Sequence, residues 1–330
     1  MIGGLEWVCK LDSGIQRPHT VRIHRAMDTV FTVTIVSGDA ALADSAAEAA
    51  FARIDAIEGC LSRFNDTSDV ALIGALKPGE IGVVAPETMD VLVASVRVCA
   101  ATGGAFDPTV GPVMRRLKDS GMAWDKLESG ELEDAFSRCG MQRLILDVEN
   151  RRVSVKPDRL GRATPLELDF GGIGKGYALD ECAKTIAGEQ YEMTDFLFDA
   201  GTSTQLAYGG PWKIGVGGVW KGRTRARTVL DVHEGAVSGS GFELQGAHVA
   251  DARRRCAARR WAQTWSRTKS AAVADALSTA ALAMDAVEIG RACRELDAGV
   301  LVARDQAKAM DLVRDPLKWI AGAPGIEKRA

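Results

Sequence analysis

The sequence has no two cysteines close enough to form a CxxC pair, although seven are scattered along its 330 residues, at positions 9, 60, 99, 139, 182, 256 and 293. An odd and dispersed set argues against a disulfide framework and against Cys-based zinc or redox sites, and it fits reduced thiols in a reducing compartment. Histidine is scarcer still, with four residues at 19, 24, 233 and 248, none grouped with another His or Cys at transition-metal spacing. No GxSxG elbow is present, which leaves a hydrolase triad without support. Nowhere do about 18 apolar residues run together, so no membrane insertion is expected. The start, MIGGLEWVCKLDSG, lacks a basic stretch followed by an apolar one, and Glu6, Trp7 and Val8 before Cys9 are not the small residues of a lipoprotein signal. Cytoplasmic residence is the expectation. A formal net charge of −3 gives no overall signature of nucleic-acid binding.

What is present reads as a folded enzyme-sized chain. Hydrophobic residues make up 46% and charged residues 26%, with no long polar tract. After a polar arm over residues 1–24, TVFTVTIV at 29–36 is β-rich. Leu42, Ala46, Ala50, Ile54, Ile57 and Leu61 then recur at helical spacing. A second helix is predicted over 86–103 and strands over 143–147 and 152–156. PLELDF at 165–170 alternates as a strand would, and Ala178, Cys182 and Ile186 mark a helix ending near Gly188. Strands are predicted over 195–199, 211–216, 228–232 and about 260–266, and a last strong helix over 271–289. Mixed order without a βαβ repeat predicts an α+β fold with largely antiparallel sheets and packed helices. Residues 25–330 are expected to form a single domain, or two intimately joined subdomains with a boundary near 105 or 190.

LDFGGIGKGYALD, residues 168–180, sets four glycines around Lys175. Glycines ahead of a helix N-terminus suit a phosphate, because bare backbone can approach it and the helix end favours negative charge. A Walker loop is excluded because Gly176 follows Lys175 where Ser or Thr is needed, and a dinucleotide fingerprint fails at Tyr177. A tight turn without a ligand is the plainer alternative for the cluster alone. In AVADALSTAALAM, Asp275 and Thr279 stand four apart, so they share a helical face, with Leu277, Ala281 and Met284 opposite. A carboxylate and a hydroxyl so placed suit a hard cation such as Mg2+, or else they are a solvent-facing pair. His248 has Asp251 close by in HVAD. Seven basic residues over 252–269, from Arg253 to Lys269, form either a solvated face or a surface for an acidic partner or a diphosphate.

Taken in order, FDPTVGPV (106–113), LDFGGIGKGYALD, VSGSG (237–241), HVAD (248–251) and ADALSTA (274–280) resemble the motif series of the ApbE-type flavin transferases, the FAD:protein FMN transferases. The resemblance runs from about Arg25 to Val287. It implies an ApbE-like architecture and Mg2+-dependent transfer of FMN from FAD to a Ser or Thr hydroxyl of a target protein, with release of AMP. It further implies that Asp275, Thr279 and the carbonyl of Gly174 hold the metal. Met27, Gly171, Gly172, Lys175 and Gly176 would contact FAD, with Asp107 and Thr109 in its nucleotide pocket and His248 and Asp251 as the reactive pair. Since many relatives are exported, periplasmic residence becomes the alternative.

The pattern departs from the family at its edges. MGT is Met27-Asp28-Thr29 here, GGD is lost in DAGTST, TSG is reduced to Gly239-Ser240-Gly241, and HiiDPrTG becomes HVADARRR. Two competing readings follow: an FAD diphosphatase or a transferase with another acceptor, and a non-catalytic flavin-binding relative.

Overall fold

The computed structural model describes residues 8–10, 17–201, 203–220, 223–242, 249–303 and 318–320. After β1 (Val8–Lys10), the hairpin of β2 (His19–Ala26) and β3 (Thr29–Val36) turns through Met27 and Asp28, both at positive φ. Two consecutive positive-φ residues give a turn whose twist suits antiparallel strands, and Asp tolerates that region better than most side chains. Residues 19–24, expected as part of a polar arm, are instead in the outer strand of a sheet, with His19 opposite Val36 and Ala26 opposite Thr29.

Asp39 accepts from the Leu42 amide and opens α1 (Ala40–Leu61). The buried stripe is Ala43, Ala46, Ala47, Ala50, Ile54, Ile57 and Leu61; Leu42 lies one position off it. α2 (Asp69–Ala75), β4 (Ile81–Val83), α3 (Pro86–Ala101), α4 (Gly111–Asp119), α5 (Ser129–Ser137), β5 (Leu144–Asp147) and β6 (Arg152–Val155) follow. Of these, β4, β6 and β5 form a small antiparallel sheet of their own.

α6 (Gly174–Ala187) leads into β7 (Phe196–Ala200) and a long hairpin of β8 (Thr204–Trp220) and β9 (Arg223–Gly241). Residues 211–216 and 228–232, expected as separate strands, are inner parts of this hairpin. The register slips between Tyr208 and Trp212 and between Val216 and Gly217, so the glycines and the proline there bend the ladder without ending it. β10 (Ala250–Asp251) and β11 (Cys256–Ala257) make a short hairpin, and β12 (Gln263–Thr268) rejoins the main sheet. α7 (Ala271–Ala281), α8 (Ala286–Leu296), β13 (Gly299–Ala303) and β14 (Lys318–Ile320) follow. The helix expected over 271–289 is therefore two helices. Asp285 and Glu288 form a reciprocal capping box that starts α8 afresh.

The main sheet runs β14-β13-β12-β9-β8-β7-β3-β2, with β1 against β8 and every pairing antiparallel. The fold is α+β, as expected. α1 packs beside α6, α6 beside α7, and α7 on β9 and β12. Strand alternation splits the core: Phe196 and Phe198 face the helices, whereas Leu197 joins Trp212, Ile214 and Trp265 on the other side of the sheet. No helix of the described residues is long and apolar enough to cross a membrane.

Candidate active site

Four alanines among its first six residues let α7 approach its neighbours on nearly every side, and Thr279 alone in the helix stays partly exposed. This corrects the expectation that Asp275 and Thr279 share a solvent-facing side. Asp275 is 3% exposed. An Ala-rich helix has too little apolar contrast for its buried side to be read from its few larger residues. β12 supports it from beneath, since the Thr264 hydroxyl donates to the Ser278 carbonyl at 2.6 Å and the Ser266 hydroxyl to the Ala274 carbonyl at 2.5 Å.

Asp275 keeps little charge compensation. Its Oδ2 accepts from the Gly176 amide at 3.3 Å, and the Lys175 ammonium stands 3.9 Å away while donating to the Gly171 carbonyl at 2.7 Å. Burial pushes the Asp275 carboxyl above the usual carboxylate range; Lys175, the Gly176 amide and the hydroxyls of Thr204 and Ser238 oppose that shift. One turn on, the Thr279 hydroxyl donates back to the Asp275 carbonyl at 3.1 Å. Its proton is thereby committed and its lone pairs are left for another partner. Gly172 brings the glycine loop against this hydroxyl, where an added Cβ would come within 3.1 Å of Thr279 Oγ1.

The glycine motif serves both the site and its scaffold. Gly171 is exposed, with its amide held by Asp169 Oδ1 at 2.8 Å, and Arg63 binds the other oxygen of Asp169 at 2.8 Å. Gly174 opens α6, so its carbonyl lies in the first helical turn, where a second lone pair remains beyond the helical bond. Gly176 does not line an open site. It is buried against α7, and a Cβ there would fall 2.1 Å from the Ala271 carbonyl oxygen. The last residue of the motif, Asp180, accepts from the Ser270 hydroxyl and from the amides of Ala271 and Ala272, which fixes the start of α7. PLELDF is not a strand. Its alternation is real, with Leu166, Leu168 and Phe170 buried, but it lies against the FDPTVGPV turn, where the Asp169 amide donates to the Pro108 carbonyl at 2.7 Å.

The remaining expected residues divide. Met27 sits in the β2–β3 turn, its amide donating to Glu58, and Thr29, the first residue of β3, abuts Gly201 between β7 and β8. Asp107 caps the turn at 108–110, accepting from the Thr109 amide and hydroxyl, while the Thr109 oxygen accepts from the Gly140 amide at 2.6 Å. Thr109 is fully buried and so works inside the scaffold, not on an open nucleotide pocket. A groove of about 340 Å³ does open beside this region, lined among others by Arg63, Phe64, Gly111, Arg115, Lys118 and Leu168.

His248 lies outside the described residues. Asp251 is buried and engaged by Arg253 and Arg254, each through its backbone amide and guanidinium. Burial works against its charge, yet the hydrogen bonds from the two arginines hold the carboxyl below its usual range. It is thus tied into the turn by two arginines, and its expected partner His248 is not among the described residues. The basic run divides: Arg253 and Arg254 also reach Glu288 and Arg255 pairs with Glu133, whereas Arg259, Arg260 and Lys269 are exposed.

Residues 27–302 match the family model of the ApbE family. The chain belongs to the ApbE family. It is an enzyme, a transferase. This ApbE-family chain is 25% identical over 249 residues to the FAD:protein FMN transferase of Klebsiella pneumoniae (strain 342), covering 70% of this chain and 69% of that one. The Escherichia coli (strain K12) FAD:protein FMN transferase is 24% identical over 260 residues, 72% of each chain. Among solved structures, the ApbE protein of Thermotoga maritima superposes with a TM-score of 0.72 at 26% identity, over 89% of this chain and 99% of that one. The flavin transferase ApbE from Vibrio cholerae has a TM-score of 0.73 at 17% identity, over 86% and 93%, a likeness of fold.

The oxygens of Asp275, Thr279 and the Gly174 carbonyl are of the kind that suits a hard divalent cation. Among the described residues no three His, Cys, Asp or Glu side chains converge on a metal-sized space, so a cation at α7 would rest on one carboxylate and neutral oxygens. Thr204, Ser238, Ser240 and Ser278, which crowd around Asp275 and Thr279, were not singled out as ligands or neighbours by the sequence. Only the Ser/Gly spacing of VSGSG marked part of this group, and nothing local linked it to β8.

Proposed function

We propose that this chain moves FMN from FAD to a Ser or Thr hydroxyl of a target protein and releases AMP, with Mg2+ held by Asp275, Thr279 and the Gly174 carbonyl. Flavin transfer is the activity for which its relatives are named. The observation that carries the finer reading is the buried, weakly compensated Asp275 carboxylate beside a Thr279 oxygen whose proton is turned away. Such a pair is costly to keep unless a cation shares it.

When bound, the cation would neutralise the diphosphate and polarise its oxygens. The chain's own residues would do the rest. Lys175 and the exposed Gly171 loop would hold phosphate oxygens, and the fixed α6–α7 contact would keep the ligands aligned for in-line attack. The acceptor oxygen bonds to the FMN phosphorus, the bond from that phosphorus to the bridging oxygen breaks, and AMP leaves with the electron pair. The hydroxyl proton goes to a base, the role proposed for His248. Asp251 would act through the β10–β11 turn that it ties together.

Incubation with FAD and Mg2+, with and without a candidate acceptor, tests this by mass spectrometry and AMP quantification. An FMN adduct on Ser or Thr with matching AMP is expected. AMP and FMN released equally fast without acceptor would make the chain a diphosphatase, and no AMP at all would refute the reading. FAD should also bind more tightly than FMN, and equal affinities in calorimetry would count against the assignment. We further propose cytoplasmic residence, supported by six free cysteines among the described residues, Cys256 being exposed. An intramolecular disulfide in non-reducing peptide maps of native protein would overturn that.

A further inference from the structure

The basic stretch from Arg253 to Arg260 is sewn onto the joint between α7 and α8. Three successive carbonyls of that joint are taken by the stretch and the tryptophan that follows it: Leu282 accepts from the Arg260 amide at 3.0 Å, Ala283 from the Arg254 guanidinium at 2.9 Å and Met284 from the Trp261 indole at 2.8 Å. The joint continues directly from the metal-site helix, since the Leu282 amide donates to the Thr279 carbonyl at 3.3 Å. On its other side Arg253 lies against Gly104, two residues before FDPTVGPV. The loop therefore stands at the Thr279 end of α7, between two of the motifs. The acids at the joint are already committed. Asp251 is held by Arg253 and Arg254, Glu288 binds Arg253 and the Asp285 amide, and the Asp285 carboxylate caps α8. Arg259 and Arg260 are exposed and form no ion pair among the described residues. Their charge does no work inside the chain.

We infer that this loop is a docking surface for an acidic segment of the acceptor protein, engaged by the Arg259 and Arg260 guanidinium groups with the half-exposed Arg254 beside them. The inference rests on the transfer reading proposed above. Guanidinium groups present forked donors that match carboxylates, and a loop whose backbone is already pinned loses little freedom when it binds. The chain as a whole carries a net charge of −3, so an acidic partner is repelled by the surface at large and steered to the place where positive charge is left over. The same net charge disfavours a long polyanion such as a nucleic acid, which would have to lie along the acidic surface as well. A short acidic stretch meets only the loop.

Fluorescence anisotropy of a labelled peptide with one Thr between short runs of Glu reads the docking, with a matched Gln peptide as the neutral probe. Arg259→Glu combined with Arg260→Glu reverses the two exposed charges and leaves the backbone bond to Leu282 in place. Arg151→Glu combined with Lys156→Glu makes the same change of net charge at exposed positions of the small sheet. Melting curves first establish that both proteins are folded. The loop variant should bind the Glu peptide about tenfold or more weakly than wild type at low salt, and high salt should erase the difference. The small-sheet variant should bind as wild type does, the Gln peptide should bind all three proteins weakly, and FAD affinity in calorimetry should be unchanged throughout. Wild-type affinity for the Glu peptide in the folded loop variant overturns the inference. So does an equal loss in the small-sheet variant, which would make the attraction a property of net charge, or a loss of FAD affinity, which would make the loop part of the nucleotide site. Tighter binding of duplex DNA than of the Glu peptide by wild type would overturn it as well. Docking is read here without FAD or cation, so its failure is distinct from a failure of transfer, which AMP release reports.

Discussion

Two aspartates of this chain are equally hidden and oppositely treated. Asp251 is 1% exposed and Asp275 3%. Two arginines surround Asp251 and hold its carboxyl below its usual range, whereas Asp275 has one lysine at 3.9 Å and is pushed above it by burial. A buried charge must be compensated, so a carboxylate left short of partners marks a place where something else supplies positive charge. Asp251 closes a turn, and Asp275 is the carboxylate proposed to meet a cation. The two residues lie in neighbouring motifs and look alike in the sequence.

The comparison breaks first at Asp275. Replacement by Ala removes the charged ligand, and losing such a transition-state contact commonly costs about 100- to 1000-fold in rate. The melting temperature should hold or rise, because the change deletes a poorly compensated buried charge. Wild-type AMP release with an unchanged Mg2+ dependence, in folded Asp275→Ala, would sink the site.

Asp251→Ala should do the reverse. Breaking a buried ion pair costs about 3–5 kcal/mol, and Arg254 is half exposed, so about 2–3 kcal/mol is expected. Denaturant titration reads the loss. Turnover per folded molecule should fall much less than in Asp275→Ala, and a loss as steep would place Asp251 in the chemistry after all.

Acid sharpens the contrast. The folded Asp251 carboxyl titrates below its unfolded counterpart, so it contributes stability that is complete above the ordinary carboxylate range of about 4 and is lost as pH falls through the lower folded value. The stability gap between wild type and Asp251→Asn should be widest near neutral pH and shrink as pH falls below the ordinary carboxylate range of about 4. A gap that stays constant with pH would mean that the arginines are not what stabilises this turn.

Much of this was legible from the residues. The motif order, the Gly-to-helix entry at Gly174 and the proximity of Asp275 to Thr279 all emerge from spacing. The burial of Asp275 does not, because α7 is built of alanines that pack on every side and leave no apolar stripe to read. The hydroxyls behind it are also invisible in the sequence: Thr204, Ser238 and Ser278 are separated by 34 and 40 positions and meet only because β8, β9 and α7 stack. PLELDF misleads for the opposite reason. Its two-residue alternation is a true record of one buried side, but its partner is a turn, and alternation cannot say what lies across from it. The capping box at Asp285 and Glu288 was present as a local signal that divides the helix expected over 271–289, and the longer periodicity concealed it.

The smallest expected effect falls on Thr279. Its hydroxyl is neutral, and it already donates to the Asp275 carbonyl, so Thr279→Ala removes one lone-pair donor and one weak helix contact. Water can enter the vacated position, since Thr279 is the partly exposed residue of α7. A lost neutral hydrogen-bonding group is worth about 0.5–1.5 kcal/mol, which is about tenfold or less in Mg2+ affinity. Thr279→Ser should restore it, because the oxygen returns and only the methyl group is lost. Gly172 adds a second handle on the same contact: Gly172→Ala brings a methyl to 3.1 Å from the Thr279 oxygen, so the pair of side chains must move apart. If the hydroxyl is a ligand, Gly172→Ala should weaken Mg2+ in the Thr279 protein and have less effect in Thr279→Ala, measured by calorimetry across the four combinations. Equal losses in both backgrounds would show that the glycine acts elsewhere in the loop and that the Thr279 oxygen is a bystander to the charge at Asp275.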